Sequence, residues 1–445
     1  MNDRKYELGH EKIGRLLLRY SAPAMVGMMV NSLYNLVDAI FVGQGAGKLA
    51  LAALAVSFPI QMFVLAVAQV VGIGSASLIS RSLGAGDQRK AERTAGTSFG
   101  IVAVMSLILT ALALTYMKPL VRLFGATPNV LPYASAYLSI VMGGCFFFAL
   151  AVSSNNIVRS EGNVKIAMFS MLIGATVNLI LDPIFIFGLG MGIRGAAVAT
   201  VIAHVCSFTF LCAYFLSGKS MLRIRRADLI PDLSLLPEVF SVGASSFTRV
   251  AAGSLLAIVL NNSIAHYGTD THLAVMGVIH RVLMFFFMPL IGLVQGLQPI
   301  VGFNYGARNF ARVKEAVAKA VAVATAIGTT AFLILMLFPR PVFRLFNPDA
   351  FLISEGAYFL RIAIILLPCV GFQIVGATLF QALGKPGPAL FLSMSRQVLF
   401  LIPLILALPL LFGLTGIWIA FPVADSLATL VTAACVLWQM EHLGR

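Results

Sequence analysis

The sequence predicts an all-α membrane protein in which twelve transmembrane helices form two pseudo-symmetric six-helix bundles. Three observations lead to this fold class: the composition, a series of long apolar stretches, and an internal repeat. Of the 445 residues, 59% are hydrophobic and only 11% are charged, whereas a soluble domain carries roughly 25% charged residues. The composition therefore excludes an ordinary soluble enzyme or binding domain and indicates a chain that lies mostly in lipid.

Twelve apolar stretches are long enough to cross a bilayer, whose core needs about 20 residues of helix. The first nineteen residues are polar and basic, so we expect an uncleaved first helix rather than a removable leader peptide. An even number of spans places both ends of the chain on one side of the membrane. The predicted spans are 15–40, 52–80, 95–117, 131–157, 166–189, 195–217, 237–265, 273–303, 316–338, 352–382, 389–411 and 416–439.

The distribution of basic residues decides the orientation of these spans. With the N-terminus in the cytoplasm, the cytoplasmic segments hold 21 Lys and Arg residues and the outer loops hold six. This asymmetry follows the positive-inside rule, so both termini are expected in the cytoplasm. It also accounts for the net charge of +14 without a nucleic-acid partner, because the basic residues are scattered between spans rather than gathered in one polar domain.

The chain repeats itself at an offset of about 222 residues. The loop that begins at Gly84-Ala85 aligns with the one at Gly306-Ala307, and each is followed by a basic helix. Because each half holds six spans, the halves have the same orientation, and they are expected to be related by an axis along the membrane normal with a cavity between them. The predicted domains are an N-terminal bundle at 1–218, a cytoplasmic linker at 219–236 and a C-terminal bundle at 237–445.

Two carboxylates depart from this repeat. Asp38 and Asp182 lie deep in apolar spans, whereas their counterparts fall near Leu260 and Pro403, which cannot ionise. An acid that the fold requires should recur in both halves, so an acid confined to the first half suggests a functional site. A carboxylate within the membrane costs about 2.5–3.5 kcal/mol on insertion scales, which makes it a functional candidate by default.

Each aspartate ends a row of residues at helical spacing that includes at least one further polar group. The two rows are Asn31, Tyr34, Asn35 and Asp38 in span 1, and Met171, Ala175, Asn178 and Asp182 in span 5. Thr200 lies at a similar depth in span 6, so these side chains could form an oxygen-rich pocket that suits a proton or Na⁺. The alternative is that each aspartate is a buried polar group satisfied by a hydrogen bond to a neighbouring Asn or Tyr.

The sequence carries no catalytic constellation that competes with this interpretation. It has no GxSxG with a partnered His, no HExxH and no Walker A pattern, and its five cysteines show no CxxC spacing. We therefore expect no enzymatic activity, no cofactor, and no metal other than Na⁺ at the aspartates. Without an ATP-binding segment, any energy for transport must come from an ion gradient.

Four long motifs stand out in the sequence. They are NSLYNLVDAIFVGQGAG at the end of span 1, GIGSASLISRSLGAGD at the end of span 2, GLVQGLQPIVGFNYGARN at the end of span 8, and RSEGNVKIAMFSMLIGATVNLILDPIFIFGLGMGIRGAAVAT across spans 4 to 6. With these motifs the chain resembles one known family, the multidrug and toxin extrusion (MATE) transporters, and specifically its prokaryotic DinF-like branch. The resemblance covers essentially the whole chain.

The resemblance implies a cation-coupled antiporter of the prokaryotic inner membrane that exports cationic or amphipathic drugs by alternating access. In that branch a cation site lies in the first bundle. Other branches place acids in spans 7 and 10, and we expect spans 7 and 10 of this chain to contain no acid. The small-molecule substrates and the lipid bilayer are the expected partners, and the chain is expected to act as a monomer. The implied cation-site residues are Asp38, Asn178, Asp182 and Thr200, and the implied substrate-cavity residues are Asn31, Tyr34, Asn155, Met171 and His204.

Two alternative functions remain open at this stage. One is a flippase for lipid-linked precursors from the same superfamily, although such proteins usually carry basic residues in the cavity. The other is an intramembrane enzyme that uses Asp38 and Asp182 as an acid pair, although no matching motif surrounds them. The sequence identifies neither the exported compounds nor the coupling ion, since oxygen ligands serve H⁺ and Na⁺ alike. The role of Asp425, the deep acid of the second half, also stays open.

Overall fold

A computed structural model describes residues 2–346 and 349–444, without the side chains of residues 2–4, 36, 48 and 270. All regular secondary structure in these ranges is helical. Ten single helices and two bent helix pairs are long and apolar enough to cross a membrane. The prediction of twelve spans in an all-α fold is confirmed, with boundaries that move by a few residues.

The twelve helices are numbered α1 to α12 in chain order. They are α1 Ile13–Gly47, α2 Leu49–Gly84, α3 Gln88–Thr115, α4 Leu131–Gly143 with Cys145–Ser160, α5 Val164–Gly188, α6 Ile193–Leu216, α7 Leu236–Tyr267, α8 Thr271–Gly306, α9 Phe310–Leu337, α10 Ala350–Ala363 with Leu367–Ala382, α11 Pro386–Phe412 and α12 Leu414–Glu441. The two helix pairs, α4 and α10, bend by 54° and 51°. They occupy equivalent places in the two halves.

The turn between α1 and α2 is much tighter than the loop expected between spans 15–40 and 52–80. Only Gly47 leaves the helical conformation, with φ of +84°. A residue with a Cβ atom is strained at such a φ, whereas glycine adopts it freely. The chain therefore turns within one residue, and Gly43 of α1 stays close to Leu51 of α2.

The two halves share a core at one end and have separate cores at the other. The shared core joins residues such as Leu16 and Leu83 of the first half to Leu297 and Val313 of the second. At the opposite end, one core contains only first-half residues from 42 to 197. Another contains only second-half residues from 260 to 424. The bundles therefore pack together at the end that carries the basic loops.

Glycines allow the backbones of the two halves to touch at this shared end. A Cβ atom at Gly84 would overlap the backbone of Phe303, and one at Gly306 would overlap the backbone of Arg81. These two contacts are related by the 222-residue repeat offset, so they are one contact made twice. Comparable close approaches to the other half are made by Gly74, Gly243, Gly292 and Gly296.

The linker between the halves is docked on α3 rather than free. Arg89 donates two hydrogen bonds to the Asp228 carboxylate, of 2.8 and 2.5 Å, and the Asp232 backbone N–H donates to Thr97 Oγ1 at 3.1 Å. The hydrogen bonds from Arg89 hold the pKa of Asp228 below its ordinary value. The contact is thus fully formed above the ordinary carboxylate pKa, and it is lost as the pH falls through the lowered one.

Adding a methyl group at the glycine contact should destabilise the protein. Gly84→Ala and Gly306→Ala are each expected to lower Tm in detergent, because overpacking a tight contact costs about 1–3 kcal/mol. Gly253→Ala is the matched control, since nothing lies within 4 Å of its added Cβ, and alanine is the better helix former by about 0.5–1 kcal/mol. Equal Tm changes in all three variants would contradict the contact.

Loss of the Asp228 carboxylate should release the linker. Asp228→Asn is expected to increase trypsin cleavage after Arg223, Arg225 and Arg226 several-fold at neutral pH, measured by gel after limited digestion. Asp232→Asn is the control, because its ion pair with Arg93 is long at 3.9 Å and partly exposed, and such pairs contribute little. Unchanged cleavage in the Asp228 variant would show that the ion pair does not hold the linker.

Candidate cation and substrate site

Asp182, Asn178 and Thr200 form one polar group between α5 and α6. Asp182 and Asn178 are buried, with 1% and 2% exposure. The Asn178 amide donates to Asp182 Oδ1 at 3.2 Å and to Thr200 Oγ1 at 3.5 Å. Immediately after Asp182 and Pro183, α5 continues as a single π-helical turn, Ile184–Gly188. Such turns occur frequently at functional sites because they re-aim the neighbouring side chains.

Asp38 brings a second carboxyl group to this cluster from α1. The carboxyl groups of Asp38 and Asp182 lie close enough for a hydrogen bond between them. Two carboxylates in contact repel each other unless a proton or a metal cation lies between them. The pairing that the sequence suggested only from depth is therefore present in the structure.

Three oxygen atoms of the cluster have no hydrogen-bond partner among the described residues. They are Asp38 Oδ1, Asp182 Oδ2 and Asn178 Oδ1, all buried. Buried acceptors without a donor are costly, and hard oxygen ligands of this kind suit H⁺ or Na⁺. The alternative in which each aspartate is fully satisfied by Asn or Tyr does not match these contacts.

The residues suggested as the substrate cavity separate into two groups. Tyr34 lies within electrostatic range of both carboxyl groups, and Met171 of α5 packs against Gly27 of α1. Asn31 precedes Tyr34 on α1, and its backbone carbonyl accepts a hydrogen bond of 2.6 Å from the Asn35 side chain. Tyr34, Met171 and Asn31 therefore lie on α1 and α5, the two helices that carry the carboxyl pair.

Asn155 and His204 make contacts that hold helices together. The Asn155 amide of α4 donates to Ala167 O at 2.8 Å and to Ser170 Oγ at 2.7 Å, both on α5. His204 of α6 packs on the ring of Phe148, with 4.7 Å between ring centroids. The structure records no contact of either side chain with the carboxyl pair.

Two polar residues of the cluster were missed by the sequence analysis. Tyr137 of α4 is 3% exposed and lies within electrostatic range of Asp38 and Asp182. Its hydroxyl is in hydrogen-bonding contact with Gln61 of α2. Their sequence signal was weak, because each is an uncharged polar residue and such residues are common in these spans.

The second half contains an ion pair between α11 and α12. Arg396 donates to Asp425 at 2.5 Å, and its guanidinium lies 5.9 Å from the ring centroid of Phe287. Asp425 is therefore neutralised by α11.

The expectation that spans 7 and 10 contain no acid is wrong. Glu238 lies in the first turn of α7, where it forms an ion pair of 2.8 Å with Arg81. Glu355 lies in α10, and its carboxylate is 3.6 Å from His272 Nε2. Both sit near helix ends and both have a basic neighbour, so neither resembles the carboxyl pair of the first half.

Comparison with known proteins agrees with the fold and its duplication. A family model described as MatE matches residues 23–184 and again 246–406. The multidrug export protein MepA of Staphylococcus aureus strain MRSA252 is 25% identical over 444 residues, which cover 99% of this chain and 97% of MepA.

Solved structures match over nearly the whole length. A structure of the MATE multidrug transporter DinF-BH is 40% identical, with a TM-score of 0.90 and 98% of both chains covered. An outward-facing multidrug resistance MATE family transporter of the MOP superfamily is 28% identical, with a TM-score of 0.93 and coverage of 99% of this chain and 98% of that one.

A duplicated bundle of apolar helices around a polar cluster defines a multi-pass membrane transporter. The chain belongs to the MATE family. The predicted resemblance to the DinF-like branch is confirmed by the likeness to DinF-BH.

The carboxyl contact should destabilise the protein when no cation occupies it. Asp38→Asn and Asp182→Asn are each expected to raise Tm by a few degrees in a sodium-free buffer at pH 8. The double variant should gain less than the sum, because residues in contact are not additive.

Asp425→Asn is the matched control in the second half. Here Tm should fall, because breaking a buried ion pair leaves the Arg396 charge uncompensated at a cost of about 3–5 kcal/mol. If Asp38→Asn lowered Tm as much as Asp425→Asn, the two carboxyl groups would not repel each other.

Proposed function

We propose that this protein exports organic, often cationic or amphipathic, small molecules in exchange for an inward flow of H⁺ or Na⁺. The observation that carries the proposal is the contact between Asp38 and Asp182 inside the first bundle. MepA is named a multidrug export protein and DinF-BH is described as a multidrug transporter, and likeness to both supports the same role here. The proposed exporter is a monomer that needs no cofactor.

The proposed location is the prokaryotic inner membrane with both termini in the cytoplasm. The excess of Lys and Arg at one end supports this orientation. The halves share their core at that basic end and have separate cores at the other. A transporter in this conformation is closed toward the cytoplasm, in keeping with its likeness to an outward-facing MATE structure.

In the proposed cycle a cation from outside binds between Asp38 and Asp182, with Asn178 and Thr200 as further oxygen ligands. Binding removes the repulsion between the carboxylates and draws α1 toward α5, which reduces the space open to a substrate beside Tyr34, Asn31 and Met171. The substrate then leaves outward. Asn155 and His204 are proposed to line the same cavity through their positions on α4 and α6. The cation is released inside after the halves rock about their shared end.

Neutralising either carboxylate should abolish export. Asp38→Asn and Asp182→Asn are each expected to reduce gradient-driven efflux of the cationic dye ethidium from cells to the level of an empty vector, because an amide does not bind and release a cation. Asp87→Asn is the control: this carboxylate only caps α3, accepting from Lys90 N at 2.9 Å. Full drug resistance in cells that carry the Asp38 variant would rule out the role.

The coupling ion is distinguished by imposing one gradient at a time on proteoliposomes. Uptake of ethidium into vesicles with an imposed pH gradient and no sodium identifies H⁺, and uptake with a sodium gradient at equal pH identifies Na⁺. A flippase would be favoured instead if dye movement depended on neither gradient and a fluorescent lipid moved between the leaflets.

A further inference from the structure

A second charged site lies between the two halves, away from the carboxyl pair. Arg159, counted from the sequence among the cytoplasmic loop residues, is instead buried in the last turn of α4 with 8% exposure. None of the described carboxylates lies within ion-pair distance of its guanidinium. A buried charge without a counter-ion is costly, so the burial of Arg159 needs a reason.

The hydrogen bonds of Arg159 use only part of its donor capacity. Its Nε donates to Asn155 O at 3.4 Å and its Nη2 donates to Asn156 Oδ1 at 3.3 Å. Both bonds are long, and a guanidinium has five N–H donors. Among the described residues, three donors are therefore left without a recorded partner.

The Arg159 side chain lines a small cavity between the two halves. The first half contributes α2 and α4, and the second half contributes α8. Two buried amide atoms of α8 have no hydrogen-bond partner among the described residues: the Gln298 nitrogen, which is a donor, and the Gln295 oxygen, which is an acceptor. The lining residues are Ala76, Ser80, Asn156, Arg159, Ser160, Gln295, Gln298 and Pro299.

The repeat shows that the fold does not require a charge at this position. At the offset of 222 residues Arg159 corresponds to Gln381. Gln381 is 3% exposed and is neutral, and its amide donates to Ser245 Oγ at 3.0 Å. The second half thus fills the equivalent place with a satisfied amide, whereas the first half carries a guanidinium with spare donors.

We propose that Arg159 and Gln298 bind a small monovalent anion, of the size of chloride, between the two halves. A guanidinium and an amide N–H₂ supply donors without any competing carboxylate, and the small cavity excludes a large organic acid. Because each half supplies one of the two groups, the anion stabilises the conformation in which the halves touch at the basic end. It dissociates when they separate.

The test is the thermal stability of the purified full-length protein at constant ionic strength. Sodium gluconate is replaced stepwise by sodium chloride, and in a separate series by sodium formate, which tests a small carboxylate in place of a halide. The Tm of the wild type is expected to rise with the concentration of either small anion, since a ligand of the folded state stabilises it by an amount that grows with the logarithm of its concentration above the Kd. Identical Tm values in gluconate, chloride and formate would overturn the proposal.

Variants separate the site from general salt effects. R159Q is expected to lose the response to the small anion, and to be at least as stable as the wild type in gluconate because the unpaired charge is gone. Q298L keeps the charge and should need a several-fold higher anion concentration for the same Tm rise. This variant also tests the site if R159Q does not fold. R122Q, at an exposed position, is the control and should respond like the wild type. A full response in R159Q or in Q298L would contradict the assigned site.

Discussion

Two carboxyl groups held in contact inside an apolar bundle place a constraint on everything around them. At 4 Å and an effective dielectric constant of about 20, two like charges repel by about 4 kcal/mol, a large fraction of the stability of an ordinary domain. The contact between Asp38 and Asp182 therefore calls for a proton or Na⁺ between the side chains. Because one carboxylate belongs to α1 and the other to α5, the presence of that cation and the distance between the helices depend on each other.

The features that recur in both halves differ in role from those that occur in one half. Contacts that close the basic end recur in both halves, as in the pair formed by Gly84 with Phe303 and Gly306 with Arg81. Charged groups inside the bundles do not recur. The first half has the carboxyl pair of Asp38 and Asp182, and the second half has Asp425 in an ion pair with Arg396. Because the duplicated contacts at the basic end connect the two bundles, a cation bound in the first bundle can bias the movement of both.

Much of this arrangement could be predicted from the sequence, because lipid demands long apolar helices and makes each deep charge conspicuous. The twelve spans and the common depth of Asp38 and Asp182 followed from that demand alone. Gln61 and Tyr137 could not be found in this way, since an uncharged polar residue is cheap enough in an apolar span to be common. The sequence alone does not reveal how helices pack against each other. Packing determines the bends of α4 and α10 and the one-residue turn at Gly47.

The most direct test of the central claim is whether a substrate and the cation exclude each other at the carboxyl pair. Purified protein is titrated with ethidium in weakly buffered solution, and released protons are followed with a pH indicator; bound ²²Na⁺ is followed in parallel at constant pH. Binding of ethidium should displace one of these cations from the wild type and neither from a variant with both Asp38 and Asp182 changed to Asn. Saturable binding of ethidium to the wild type with no cation released would contradict the account.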